Sequence, residues 1–134
     1  MKKVAFVCGE NACRSQMAEA IYNSLAKYTR AESAGTNPAD EINPLAVESM
    51  REAGIDLRGR EPREFDFESI NDYERIVSFG CIVKATFPGN ERLEEWLIED
   101  PKGKEIQFFR RVRDEIRARI EILLKEVDYP PACE

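Results

Sequence analysis

Apolar residues along this chain fall into short runs alternating with helical stripes, closing on one long stripe. Val4-Ala5-Phe6-Val7 is a continuous apolar run after Lys3, the pattern of a strand buried on both faces. From Ser15 to about Lys27, Met17, Ile21, Leu25 and Tyr28 lie on one face of a predicted helix. A second strand is expected near Arg30 to Ser33, ending at Gly35. Asn43-Pro44 reads as the N-cap and first residue of a helix through Leu45, Val47, Met50 and Ala53, with Gly54 as its stop. Arg58 to Ser69 is polar and irregular, with room for one helical turn. Ile76 to Phe79 is a third strand closed by Gly80, and Glu94 to Ile98 a short fourth closed by Asp100-Pro101. The final helix runs from about Lys104 to Lys125, and Phe109, Val112, Ile116, Ile120, Leu123 and Val127 mark its buried stripe. Residues 128–134, with Pro130-Pro131, read as a loose tail.

Strands alternating with helices predict an α/β fold, a parallel sheet with helices on both faces. The chain has 134 residues, the size of one domain spanning 1–134. In such sheets, functional residues gather beyond the carboxyl ends of the strands. Cys8 follows strand one, Cys81 strand three and Asp100 strand four, so one sheet edge would hold two thiols and a carboxyl.

The loop Cys8-Gly9-Glu10-Asn11-Ala12-Cys13-Arg14-Ser15 carries the candidate chemistry. A strand, a short loop and a helix start point backbone N–H groups and a helix dipole at an anion. Cys8 opens that loop as a candidate nucleophile, and Arg14 at its end can grip two oxygens of one oxyanion. The chain has no histidine, which excludes Ser-His-Asp and Cys-His arrangements. Activation must then come from the helix N-terminus, a cation, or a hydrogen bond from Ser15. Taken alone, Cys8 also fits a packed strand-end thiol, and Asp100 a turn residue before proline.

Charge and cysteine usage narrow the partners. A net charge of −6 argues against nucleic acid, though a small anionic substrate held by N–H donors and one Arg is compatible. No run of 18 apolar residues is present, and Met1-Lys2-Lys3 leads straight into a strand, so neither a membrane span nor a secretory signal is expected and the cytoplasm is the default. Four cysteines without a CxxC pair read as free thiols rather than a zinc site or disulfide framework, and no metal or cofactor is expected. Arg58, Arg60 and Arg63 suit a solvated loop, with steering of anions as the alternative.

With these residues in view, the chain resembles the low-molecular-weight protein tyrosine phosphatase superfamily, and within it the thioredoxin-coupled arsenate reductases. The resemblance rests on Cys8 to Ser15, Cys13-Arg14-Ser15-Gln16-Met17-Ala18-Glu19, Ser33-Ala34-Gly35-Thr36, Ile42-Asn43-Pro44 through Gly54-Ile55-Asp56, Asp100-Pro101 with Gly103-Lys104-Glu105, and Arg111 to Ile116. It implies a single-domain three-layer sandwich around a four-stranded parallel sheet in the order 2-1-3-4. It further implies that Cys8 attacks arsenic, and that the backbone of Gly9, Glu10, Asn11, Ala12, Cys13 and Arg14, with the Arg14 side chain, holds the oxyanion. Asn11 would brace the loop, Ser15 favour the Cys8 thiolate, Asp100 protonate the departing oxygen, and Cys81 form a disulfide with Cys8.

The chain departs from that pattern beyond Cys81. Ile82 to Pro88 contains no further thiol to carry the disulfide outward. Cys133 in the tail, a thioredoxin-like reductant or a small thiol would have to take over, and Cys13 is a further partner for Cys8. Asn11, Glu19 and Ser33 match positions of a monovalent cation site in the family, without its acidic residue near Arg63. Three functions remain open: arsenate reduction; phosphatase action on a phosphotyrosine or small phosphomonoester, where water completes turnover; and a non-catalytic oxyanion binder or thiol redox sensor.

Overall fold

The computed structural model describes residues 2–80 and 92–130. Strand β1, Lys3–Cys8, leads into helix α1, Arg14–Leu25; β2, Arg30–Gly35, is followed by α2, Pro44–Glu52, and a 3₁₀ turn, Phe67–Asp72. Strand β3 is Arg75–Ser78, β4 is Leu93–Glu95, and α3, Ile106–Val127, closes the fold. The four strands form one parallel sheet in the order β2-β1-β3-β4. The expected α/β architecture and strand order are both present. Cys81 and Cys133 lie outside the described residues.

Central position explains why β1 is apolar and buried from Val4 to Cys8. It pairs on both sides, with Cys8 opposite Gly35 on β2 and Val7 opposite Ser78 on β3. Phe6 faces the helices and packs edge-on against Tyr22, with ring centroids 5.9 Å apart, and against Trp96 at 5.7 Å. The α3 stripe Phe109, Val112, Ile116, Ile120, Leu123 and Val127 is buried in the same cluster, with Met17 and Ile21 of α1 and Ala46 and Met50 of α2. The opposite face is thinner. Ala5, Val7, Ile76 and Leu93 are covered there by Phe65 and by the partly buried Ile70 and Tyr73, so the cover is the 3₁₀ turn and its flanks.

Two boundaries differ from expectation for identifiable reasons. Strand β4 ends at Glu95, short of Ile98. The Trp96 N–H still donates to the Ser78 carbonyl, but the Ile98 N–H turns back to the Trp96 carbonyl at 2.9 Å, which ends the ladder. The segment read as a loose tail is fastened at its first residue. The Asp128 carboxylate accepts from the backbone N–H groups of Lys27, Tyr28 and Thr29 at 2.8 to 3.0 Å, and from the Thr29 hydroxyl at 2.8 Å. Burial opposes its ionisation, yet these donors prevail and hold the carboxyl below its usual range.

Asn43 caps α2 as predicted. Its side-chain oxygen accepts from the Leu45 N–H at 2.9 Å, Pro44 occupies the first turn, and Gly54 follows the helix with a φ of 82°.

Candidate active site

The loop from Gly9 to Cys13 is held from behind by the segment leaving β2. Carbonyls of Cys8, Gly9, Glu10 and Ala12 accept from the N–H groups of Thr36, Asn37, Ala39 and Asn43 at 2.8 to 3.2 Å. In a trans peptide, the N–H of the following residue points opposite to the carbonyl. The N–H groups of Gly9, Glu10, Asn11 and Cys13 therefore face away from that segment. Gly35 makes the close approach possible: a Cβ there would lie 2.6 Å from the Gly9 carbonyl oxygen and 2.9 Å from the Asn11 nitrogen.

Enclosed by this loop is a cavity of about 70 Å³, lined by Cys8, Gly9, Glu10, Ala12, Cys13, Arg14 and Asp100. Helix α1 begins at its wall. Cys13 stands at the N-cap with no side-chain cap, and no acidic residue sits in the first turn, so the helix start is left open to an anion.

Cys8 from the first strand end and Asp100 from beyond the fourth line the same cavity. Cys8 is buried, and its sulfur lies 2.8 Å from the Ser15 hydroxyl. Asn11, fully buried with a φ of 53°, donates from Nδ2 to Ser15 Oγ at 2.7 Å. Arg14 donates from Nη1 to the carbonyls of Phe79 at 3.0 Å and Ile98 at 2.8 Å, and its guanidinium carbon lies 5.5 Å from the Phe79 ring centroid. Its Nη2 lies 3.9 Å from Asp100, whose carboxylate is half-exposed and accepts from the Lys102 N–H. At the mouth, Lys102 Nζ pairs with Glu10 at 2.7 Å. Cys81, the proposed second thiol, falls outside the described residues.

Cys13 lines the same cavity but is chemically distinct. Burial first, then the charges of Asp100 and Cys8, push its thiol up to about 12, so it stays protonated at neutral pH.

Residues singled out for other reasons turn out to support the loop. Glu19 on α1 is buried, and it pairs with Arg60 and with Arg63, the latter at 2.7 Å, while the Ser33 hydroxyl donates to it at 3.0 Å. Arg60 and Arg63 are thus committed to a buried carboxylate, whereas Arg58 pairs with the exposed Asp56. Among the described residues, no cluster of metal-ligating side chains is present. The carbonyls of Phe79 and Ile98 escaped the sequence reading, since a backbone acceptor has no residue-type signature.

A family model described as low molecular weight phosphotyrosine protein phosphatase matches residues 3–130, and the chain belongs to that family. It is 35% identical over 130 residues to a glutaredoxin arsenate reductase of Synechocystis sp., covering 95% of this chain and 99% of that protein. It is 40% identical over 124 residues to an arsenate reductase of Brevibacillus brevis, covering 90% and 92% of the two. A solved arsenate reductase in the phosphate binding state superimposes with a TM-score of 0.83 at 36% identity, over 95% of this chain and 99% of the other.

Proposed function

We propose that this protein is an arsenate reductase that uses Cys8 as nucleophile. The observation that carries the reading is the cavity itself. It is small, about 70 Å³, and its lining of nucleophile loop, Arg14 and Asp100 suits a single compact oxyanion. Among the described residues no aromatic side chain lines it, and the Glu10–Lys102 pair stands at its mouth, an arrangement poorly suited to an aryl phosphate. Relatives named arsenate reductase match nearly the full chain.

The chemistry follows from the placement of the groups. Arsenate sits against the loop N–H groups and Arg14, which take up the charge that develops as the thiolate attacks. A sulfur–arsenic bond forms at Cys8, and an arsenic–oxygen bond breaks, its oxygen leaving as water after protonation by Asp100. A second thiolate then attacks the Cys8 sulfur. The sulfur–arsenic pair stays on arsenic, which falls from the pentavalent to the trivalent state and leaves as arsenite, while two thiols become one disulfide. We assign the second thiol to Cys81. The resulting disulfide is returned to thiols by an external thiol reductant of thioredoxin, glutaredoxin or small-thiol type, since Ile82 to Pro88 holds no further thiol to carry it outward.

Phosphate and arsenate present the same shape to this loop, so phosphomonoester hydrolysis is the rival reading. Single-turnover arsenite release by the reduced protein separates the two. Wild-type protein should release about one equivalent and form a Cys8–Cys81 disulfide, whereas Cys81→Ser should stall as the Cys8–arsenic adduct. No arsenite, with steady phosphomonoester hydrolysis that Cys81→Ser leaves untouched, would make the protein a phosphatase.

A further inference from the structure

Gln16 sits in the first turn of α1, wholly buried, one residue beyond Ser15. Its Nε2 donates to Asn11 Oδ1 at 2.9 Å and to the Glu61 carbonyl at 3.2 Å. The same Asn11 oxygen accepts a second bond, from the backbone N–H of Arg63, at 2.8 Å. Two N–H groups aimed at one atom determine which end of the amide it is, because an NH₂ there would face two donors. Nδ2 must then point at Ser15 Oγ, 2.7 Å away. The Ser15 hydroxyl has one proton. With Asn11 donating to its oxygen, that proton is free for the Cys8 sulfur at 2.8 Å.

We infer that Gln16 is a positioning residue for the nucleophile: with the Arg63 N–H it locks the Asn11 amide so that Ser15 donates to, and stabilises, the Cys8 thiolate. The second donor is itself anchored. The Arg63 side chain pairs with buried Glu19 at 2.7 Å, and its carbonyl accepts from the Gly35 N–H at 2.7 Å. Gln16 Oε1, by contrast, is buried and has no hydrogen-bond partner among the described residues. A buried amide whose oxygen is unpaired is a local cost, and its NH₂ group makes the contacts that offset it. An apolar side chain of similar shape should therefore fold at least as well and fail only in orienting Asn11.

The inference rests on Cys8 being the nucleophile and does not need arsenate to be tested. The rate of Cys8 alkylation by iodoacetamide, followed against pH by mass spectrometry, reads thiolate directly. Gln16→Met should move that profile up by about one pH unit, roughly tenfold slower alkylation on its acid side, with an unchanged or higher melting temperature. Because Gln16 acts through Ser15, the double variant S15A/Q16M should match S15A alone. A Gln16→Met profile that overlies the wild type, or additive shifts in the double variant, would overturn the inference while leaving Cys8 as nucleophile. Alkylation that spares Cys8 at every pH would overturn both. Should Gln16→Met prove unstable, Gln16→Leu carries the same comparison, again judged against its own melt.

Discussion

The Arg14 guanidinium donates to the carbonyl of Ile98 at 2.8 Å, joining the start of α1 to the stretch just past β4. That contact aims the side chain, since the same Nη1 also reaches the Phe79 carbonyl while Nη2 faces Asp100. A guanidinium can satisfy both carbonyls and still present a planar fork of donors to an oxyanion, where an ammonium would keep a single N–H. Arg14→Lys should therefore lose about a hundredfold or more in single-turnover arsenite release, with a melting temperature near that of the wild type. Retained turnover would show that the loop N–H groups suffice for charge stabilisation.

Much of this arrangement was legible from residue types. The stripe from Phe109 to Val127 gave the long helix because all six positions face one buried cluster. Cys8, Arg14 and Ser15 were legible because one loop carries them, and Asp100 because it follows the apolar stretch that contains β4 and precedes Pro101. What stayed hidden was made by backbone groups or by distant charges. Ile98 looked like strand from its apolar neighbours, yet its N–H closes a turn and its carbonyl serves Arg14. Arg60 and Arg63 looked like solvated charges, since nothing in their neighbourhood reveals that Glu19, 41 and 44 residues earlier, is buried beside them. The anchor at Asp128 was missed for the same reason, its four donors lying about a hundred residues away in the chain.

Gly35 offers a test of how tightly the nucleophile loop is fitted. An added Cβ would meet backbone atoms of Gly9 and Asn11 at 2.6 and 2.9 Å, and backbone cannot swing aside as a flexible side-chain end would. Gly35→Ala should cost about 1–3 kcal/mol in urea unfolding. Displacement of the loop should lower arsenite release by more than the stability change explains, on the order of a hundredfold for a shift near 1 Å. A variant that melts lower but turns over normally would mean that the strain is relieved in β2 rather than in the loop.

Asp128 should make the fold acid-sensitive in a way that one substitution removes. Its carboxyl lies below the usual range in the folded protein, because the N–H groups of Lys27, Tyr28 and Thr29 and the Thr29 hydroxyl outweigh the effect of burial. A depressed folded value means that the unfolded chain binds the proton first, at about 3.9. The stabilisation is then complete above that pH and is lost as pH falls through the lower folded value. Asp128→Ala should cost about 2 kcal/mol at pH 7, as expected for hydrogen bonds to a charged acceptor that is partly open to water. Urea unfolding of both proteins from pH 7 to pH 2.5 should show that gap closing only below about pH 4. A gap constant across the range would mean that Asp128 acts through packing, and that its charge does not fasten α3 to the α1–β2 turn.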